Sequence, residues 1–179
     1  MNLLKLNVAF ILACGILCSC SCVMFTPNAY LTIDNIDFRS NPTAKPMTYN
    51  SIYNNYIYLK CIENDVPYPI VNRLLYMESR FNKYAIGSSN CNGTKDYGIA
   101  QVNSAYIDYF KRKYFEFDVF NPYQSIDFCI KHLYTLYCIT NDWYLAVAAY
   151  NAGLSRIQNV GIPESTQAYC NAIMVDLVF

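Results

Sequence analysis

Apolar residues recur at helical spacing through much of the chain. Near residues 50–63, Ile52, Tyr56, Leu59 and Cys61 fall on or near one side of a helix that Asn64 and Asp65 end. Pro67 and Pro69 suit the first turn of a second helix, where a missing N–H is no loss. That helix, near 69–80, carries Ile70, Val71, Leu74, Leu75 and Glu78. From Gly87 to Thr94 the chain turns to Gly, Ser and Asn, which predicts a turn or short β-structure. Asn121-Pro122 starts a long helix with Ile126, Ile130, Leu133 and Tyr134 in helical spacing. Asp142 caps another, running from Trp143 to Asn151 and stopped by Gly153, and Pro163 opens the last. The expectation is a mainly α, α+β domain: helices with a small loop or β region.

The first residues follow a different pattern. Met1 to Asn7 carries one positive side chain, Lys5, Val8 to Leu17 is nearly all apolar, and Cys18, Ser19, Cys20, Ser21 and Cys22 follow. This order reads as an export signal over residues 1–22. The stretch Leu17-Cys18-Ser19-Cys20 resembles a bacterial lipobox, which implies lipidation of Cys20 and a membrane anchor. Cys14 and Cys22 compete for that role, and a plain cleaved signal or an uncleaved anchor reaching Phe25 are the other readings. Cys18, Cys20 and Cys22 lack paired metal-ligand spacing, so no metal site is expected there. Residues 23–46 hold Pro27, Asn28, Asn41, Pro42 and Pro46 with no clear period and read as a tether. The folded domain is expected over 47–179.

Composition narrows the function. Thirteen Lys+Arg balance thirteen Asp+Glu, and the net charge of zero argues against a nucleic-acid partner. A chain 54% hydrophobic and 15% charged is not disordered. Glutamate is scarce, so each one is open to inspection: Glu63 ends a helix, Glu116 lies among aromatics, and Glu164 suits a first helical turn. Glu78 differs. It follows Leu75 and Leu74 by three and four residues and Val71 by seven, on the apolar face of the second helix and in its last turn. Burial and the negative end of the helix dipole both disfavour a carboxylate, so its pKa should rise. A carboxyl kept neutral is what a general acid needs.

Three blocks extend this reading. They are Glu78-Ser79-Arg80-Phe81-Asn82, then Gly98-Ile99-Ala100-Gln101-Val102-Asn103-Ser104, then Ala146-Val147-Ala148-Ala149-Tyr150-Asn151-Ala152-Gly153. In that order and spacing they resemble the lytic transglycosylases with a lysozyme-like, SLT-type domain, over about residues 50–175. The resemblance implies a cleft for glycan strands beside the small β region. It makes Glu78 the acid/base residue, with Ser79 supporting it and Tyr150 approaching the reacting centre. Gln101, Asn103 and Asn151 fall in the substrate-binding blocks. Ser165-Thr166-Gln167-Ala168-Tyr169 resembles a family Glu-Thr-x-x-Tyr block, with Ser165 replacing Glu, which makes Tyr169 a groove or packing residue. Ala100 stands where Met is usual. Gly87 stands where many members carry Ser, with Ser88 or Ser89 as possible substitutes.

The segment from Asn92 to Asn103 also resembles the active-site β region of c-type lysozymes. That likeness makes Asp96 a possible second carboxylate, as a retaining hydrolase requires. The other reading of Asp96 is a turn-shaping residue that accepts backbone hydrogen bonds. The transglycosylase resemblance implies peptidoglycan as substrate and 1,6-anhydromuramoyl products, with no cofactor and no metal. It also brings a cell-envelope secretion machine into view as a partner. A hydrolytic muramidase and a non-catalytic glycan-binding envelope module are the alternatives. The only histidine, His132, reads as a helix-surface or core-edge residue. Most of the 18 tyrosines read as packing; Tyr84, Tyr97 and Tyr106 lie nearest the motifs. Cys61, Cys91, Cys129, Cys138 and Cys170 are odd in number, and Cys129 and Cys138 fall on opposite sides of one helix.

Overall fold

The structure is a computed structural model that describes residues 48–113 and 117–177. Residues 1–22, read as an export signal with Cys20 as its lipidation site, residues 23–46, read as a tether, and Glu116 lie outside the described residues. The order is α1 (Asn54–Glu63), α2 (Tyr68–Ser79), β1 (Asp96–Tyr97), β2 (Val102–Asn103), α3 (Ser104–Lys113), α4 (Pro122–Thr140), α5 (Trp143–Ala152), α6 (Leu154–Val160) and α7 (Glu164–Met174). The mainly α architecture with a two-stranded sheet is the expected one. No helix among the described residues is long and apolar enough to cross a membrane.

The core follows the periodicity. Ile70, Val71, Leu74 and Leu75 are fully buried on α2, as are Ile126, Ile130 and Leu133 on α4. The small residues Ala146, Val147, Ala148 and Ala149 let α5 pack closely against α4 and α7. Helix ends are fixed as the sequence predicts. The Asn121 side chain accepts from the Tyr123 and Gln124 amides, and Asp142 accepts from the Leu145 amide at 3.0 Å. Gly153 closes α5 with a φ of +87°.

The first helix departs from its expected face. It starts at Asn54, so Ile52 precedes it and is 90% exposed, and Leu59 is also exposed. Cys61 is buried as expected, and Ile57, one turn before it, is buried with it. Two helices, α3 and α6, had no counterpart in the sequence reading. All five described cysteines carry free thiols, with Cys129 buried and Cys138 exposed on opposite sides of α4.

A cation sits inside this core. Arg73 on α2 is fully buried, and its Nη1 donates to the Ile173 carbonyl at 2.8 Å and to the Val175 carbonyl. Those carbonyls lie at the negative end of α7, so the guanidinium complements both the orphan acceptors and the helix dipole. It fixes the last helix against the helix that carries Glu78.

Candidate functional site

Glu78 lies in the last turn of α2, before Arg80 ends the helix in the left-handed region. Its Oε1 accepts a hydrogen bond from the Tyr169 hydroxyl on α7. Burial dominates its titration and raises the pKa from 4.5 to about 7. The Tyr169 bond opposes this by stabilising the carboxylate, and the negative charge of Asp96 adds to the rise. The expected direction is therefore present, and burial is its main cause.

Asp96 stands on β1, paired with Asn103 on β2. Its Oδ2 accepts from Asn90 Nδ2 at 3.1 Å and its Oδ1 from Asn103 Nδ2 at 2.8 Å. The sequence suggested backbone donors; side-chain amides take that place, because loop and hairpin converge on one carboxylate. Asn103 is also committed locally. It donates to Thr94 Oγ1 and caps α3 by accepting from the Ala105 amide at 3.1 Å.

The turn between β1 and β2 is fastened to two helices. Ser79 Oγ donates to the Ile99 carbonyl at 2.7 Å, and the Tyr150 hydroxyl donates to the Ala100 carbonyl at 2.8 Å. Ile99 and Ala100 are fully buried, so these bonds satisfy carbonyls that water does not reach. Gly98 begins the turn with φ +75°, and a Cβ there would lie 2.3 Å from the Val119 carbonyl oxygen. No other residue fits that position. Gln101 ends the turn at φ +48° and donates through Nε2 to the Gly98 carbonyl at 2.9 Å. Its carbonyl oxygen leans towards Gly87, 3.0 Å from where a Cβ would sit. A serine at 87 would push Gln101 aside; Ser88 and Ser89 are both exposed.

Glu78, Ser79, Asp96, Gln101, Asn103, Tyr150 and Tyr169 thus converge around the end of α2 and the hairpin. Asn151 points elsewhere: it is exposed and its Oδ1 accepts from Thr166 Oγ1 at 2.8 Å, tying α5 to α7. The sequence reading missed the wall behind Tyr150. Cys129 on α4 is in hydrogen-bonding contact with the Tyr150 hydroxyl, and burial pushes its thiol up to about 12. His132, one turn on, packs its ring 5.6 Å from that of Tyr150 and stacks on Phe128. Burial lowers its pKa from 6.5 to about 4. The i, i+3 spacing of Cys129 and His132 was legible, but their meeting with α5 depends on how two helices cross.

Among the described residues, no group of three His, Cys, Asp or Glu side chains is placed to hold a metal ion. The arrangement presents a carboxyl of raised pKa with a phenolic donor beside it and the Asp96 charge near enough to act on it. That combination suits proton donation followed by proton return.

This chain is similar to known proteins. Protein IpgF of Shigella sonnei and protein IpgF of Shigella flexneri are each 32% identical over 93 residues, 51% of this chain and 60% of theirs. The match spans less than two thirds of the length of those relatives. A model of the transglycosylase SLT domain matches residues 56–171, from α1 through most of α7. That match takes in well over half of the chain and all the elements that meet at Glu78, so the chain belongs to the lytic transglycosylase SLT-domain family.

Proposed function

We propose that the protein cleaves the β-1,4 bond between N-acetylmuramic acid and N-acetylglucosamine in peptidoglycan without water, leaving 1,6-anhydromuramoyl ends. The observation that carries this reading is the placement of the Glu78 carboxyl in the last turn of α2, bonded by the Tyr169 hydroxyl, where burial raises its pKa to about 7. Protonated Glu78 donates to the glycosidic oxygen as the C1–O bond breaks. The substrate's acetamido oxygen meets the electron-poor anomeric carbon. Glu78, now a carboxylate, takes the proton of the muramoyl 6-hydroxyl as that oxygen bonds to C1. The nucleophile belongs to the substrate, so no second molecule has to be ordered. Tyr169 supports the cycle by donating to the carboxylate in the interval between the two transfers.

A second reading is a hydrolytic muramidase with Asp96 as partner of Glu78. The effect of the Asp96 charge on Glu78 favours it, because the two carboxyl groups act on one another, as the pair of a retaining hydrolase does. The ring closure is preferred because both Asp96 oxygens are already bonded to Asn90 and Asn103. The cellular part of the proposal is export through residues 1–22, lipidation at Cys20 and action in the periplasm or envelope. There the enzyme would open the wall for an envelope-spanning machine.

Mass spectrometry of muropeptides released from purified peptidoglycan tests the reaction. Anhydromuramoyl ends that vanish with Glu78→Gln are expected. Reducing ends, one water heavier, would replace this reading by the muramidase. Binding with no cleavage would replace both by a glycan-binding module.

A further inference from the structure

We infer that Tyr49, which lies ahead of the matched residues 56–171, is a positioning residue for Glu78: its ring braces Tyr76 and so holds the strained end of α2 from which Glu78 projects. This role rests on the reading of Glu78 as acid and base, and adds to it a residue that works through the helix.

The end of α2 is strained. Arg80 and Phe81 follow one another with φ +52° and +62°, and neither is glycine. A side chain in the left-handed region costs energy and persists where its surroundings hold it there. Tyr76 is the centre of that hold. Its carbonyl accepts from the Arg80 amide at 2.8 Å, and its hydroxyl accepts from Arg80 Nη1 at 2.7 Å. The guanidinium carbon sits 5.1 Å from the Tyr76 ring centre, and the Phe81 ring lies 6.0 Å from it. Both strained residues therefore draw support from one side chain.

Tyr76 is itself held by Tyr49. The two rings stack with centroids 3.5 Å apart and planes 7° from parallel. The Tyr49 backbone is fixed at both of its polar groups. Its N–H donates to Asn72 Oδ1 at 2.7 Å, and its carbonyl accepts from Asn72 Nδ2 at 3.0 Å and from Asn54 Nδ2, at the start of α1, at 3.1 Å. Asn72 is fully buried and stands one turn before Tyr76, so its amide grips the chain on the helix face that also carries the ring. A ring placed by its own backbone loses little freedom on stacking. Two residues after Tyr76 the helix turns Glu78 to the other side, so the brace reaches it by fixing the helix end.

The test is carboxyl NMR of the full chain labelled with carbon-13 glutamate, a readout that needs no substrate. Glu63, Glu78, Glu116 and Glu164 are the only glutamates, and Glu78→Gln identifies the Glu78 signal. Burial is the largest influence on the Glu78 titration, so a helix end that loosens and admits water moves its midpoint down from about 7 towards 4.5. We expect a drop of about one pH unit in Tyr49→Ala, an about tenfold weaker hold on the proton. Tyr49→Phe keeps the ring and should keep the parent midpoint. Should the Ala variant not fold, Tyr49→Leu, which keeps apolar cover without the flat stack, is read in its place. Tyr169, Asp96, Cys129 and Tyr150, whose charges interact with that of Glu78, are unchanged in all three. On peptidoglycan, kcat of the Ala variant should fall about tenfold with KM nearly unchanged, because the carboxyl is displaced. A loss of stability alone would lower the unfolding midpoint and leave the Glu78 titration in place. A folded Ala or Leu variant with the parent Glu78 midpoint overturns the inference, as does a Phe variant that drops as far as Ala. A midpoint that falls with kcat unchanged also overturns it, since the carboxyl then works as well without the brace. If the midpoint falls with Ala and recovers with Phe while the parent leaves peptidoglycan intact, the proposed reaction fails and the brace stands. If peptidoglycan is cleaved to anhydromuramoyl ends and the midpoint does not move, the reverse holds.

Discussion

Two neighbours pull the titration of Glu78 in opposite directions, and each can be removed by one atom-sized change. Tyr169 donates to Oε1 and favours the ionised form; Asp96 adds negative charge and disfavours it. Tyr169→Phe therefore raises the Glu78 pKa above about 7, and Asp96→Asn lowers it. If neutral Glu78 is the acid, the alkaline limb of kcat/KM moves up in the first variant and down in the second. Rate–pH profiles on solubilised peptidoglycan check both signs, and a limb that moves in neither would separate Glu78 from the acid step. The Phe variant also leaves the returning carboxylate short of a donor, so kcat falls about tenfold to a hundredfold at its optimum. Glu78 itself was legible in the sequence, because three apolar residues at helical offsets, Val71, Leu74 and Leu75, place it on a buried face. Tyr169 was visible only as a groove or packing residue. The distance across 91 positions of chain that makes it the partner of Glu78 is set by where α7 docks, which no local pattern encodes.

At the scale of elements, the hairpin is positioned by clamps and the last helix by a cation. Tyr150 and Ser79 bond two successive buried carbonyls, so the hairpin moves with α2 and α5. Tyr150→Phe leaves the Ala100 carbonyl unpaired and should cost about 1–3 kcal/mol, with activity falling further because Gln101 and Asp96 lose their fixed position. Equilibrium urea unfolding measures the first effect, and a loss below a few tenths of a kcal/mol would mean water reaches that carbonyl. Arg73→Ala strips the C-terminal carbonyls of α7 of their cation and should cost about 3 kcal/mol or more, read in the same way. Helices with a strong apolar stripe were legible: α2 and α4 each bury three or more large apolar residues at the expected offsets. Of the two that escaped, α6 has seven residues with none buried, so it carries no stripe to read. On α1 the pattern was read from Ile52, which precedes the helix, so Leu59 stood on the expected face where Ile57 belongs, while Cys61 was placed on the buried side as found.

Over the whole molecule, Glu78 and His132 couple stability to pH with opposite signs. Folding raises Glu78 from 4.5 to about 7, so above pH 7 the native state carries the full cost of a buried carboxylate, about 3 kcal/mol at most. That cost is relieved as pH falls from about 7 to 4.5, because the native state takes up a proton that the unfolded chain does not. Folding lowers His132 from 6.5 to about 4, so no cost exists above pH 6.5. Below that, the unfolded chain binds a proton that the native ring refuses, and stability declines by a similar amount as pH falls to about 4. Between pH 4.5 and 6.5 one proton is bound by this pair in either state, and their combined slope is near zero. Glu78→Gln should thus stabilise the protein above pH 7 by up to about 3 kcal/mol and uncover a decline on acidification below 6.5. His132→Phe should leave stability at pH 7.5 little changed and uncover a rise as pH falls from 7 to 4.5. Urea unfolding of the parent and both variants across that range measures each slope. Parallel curves for all three would mean that neither group is desolvated as its surroundings require, and the neutral acid at the end of α2 would lose its physical basis.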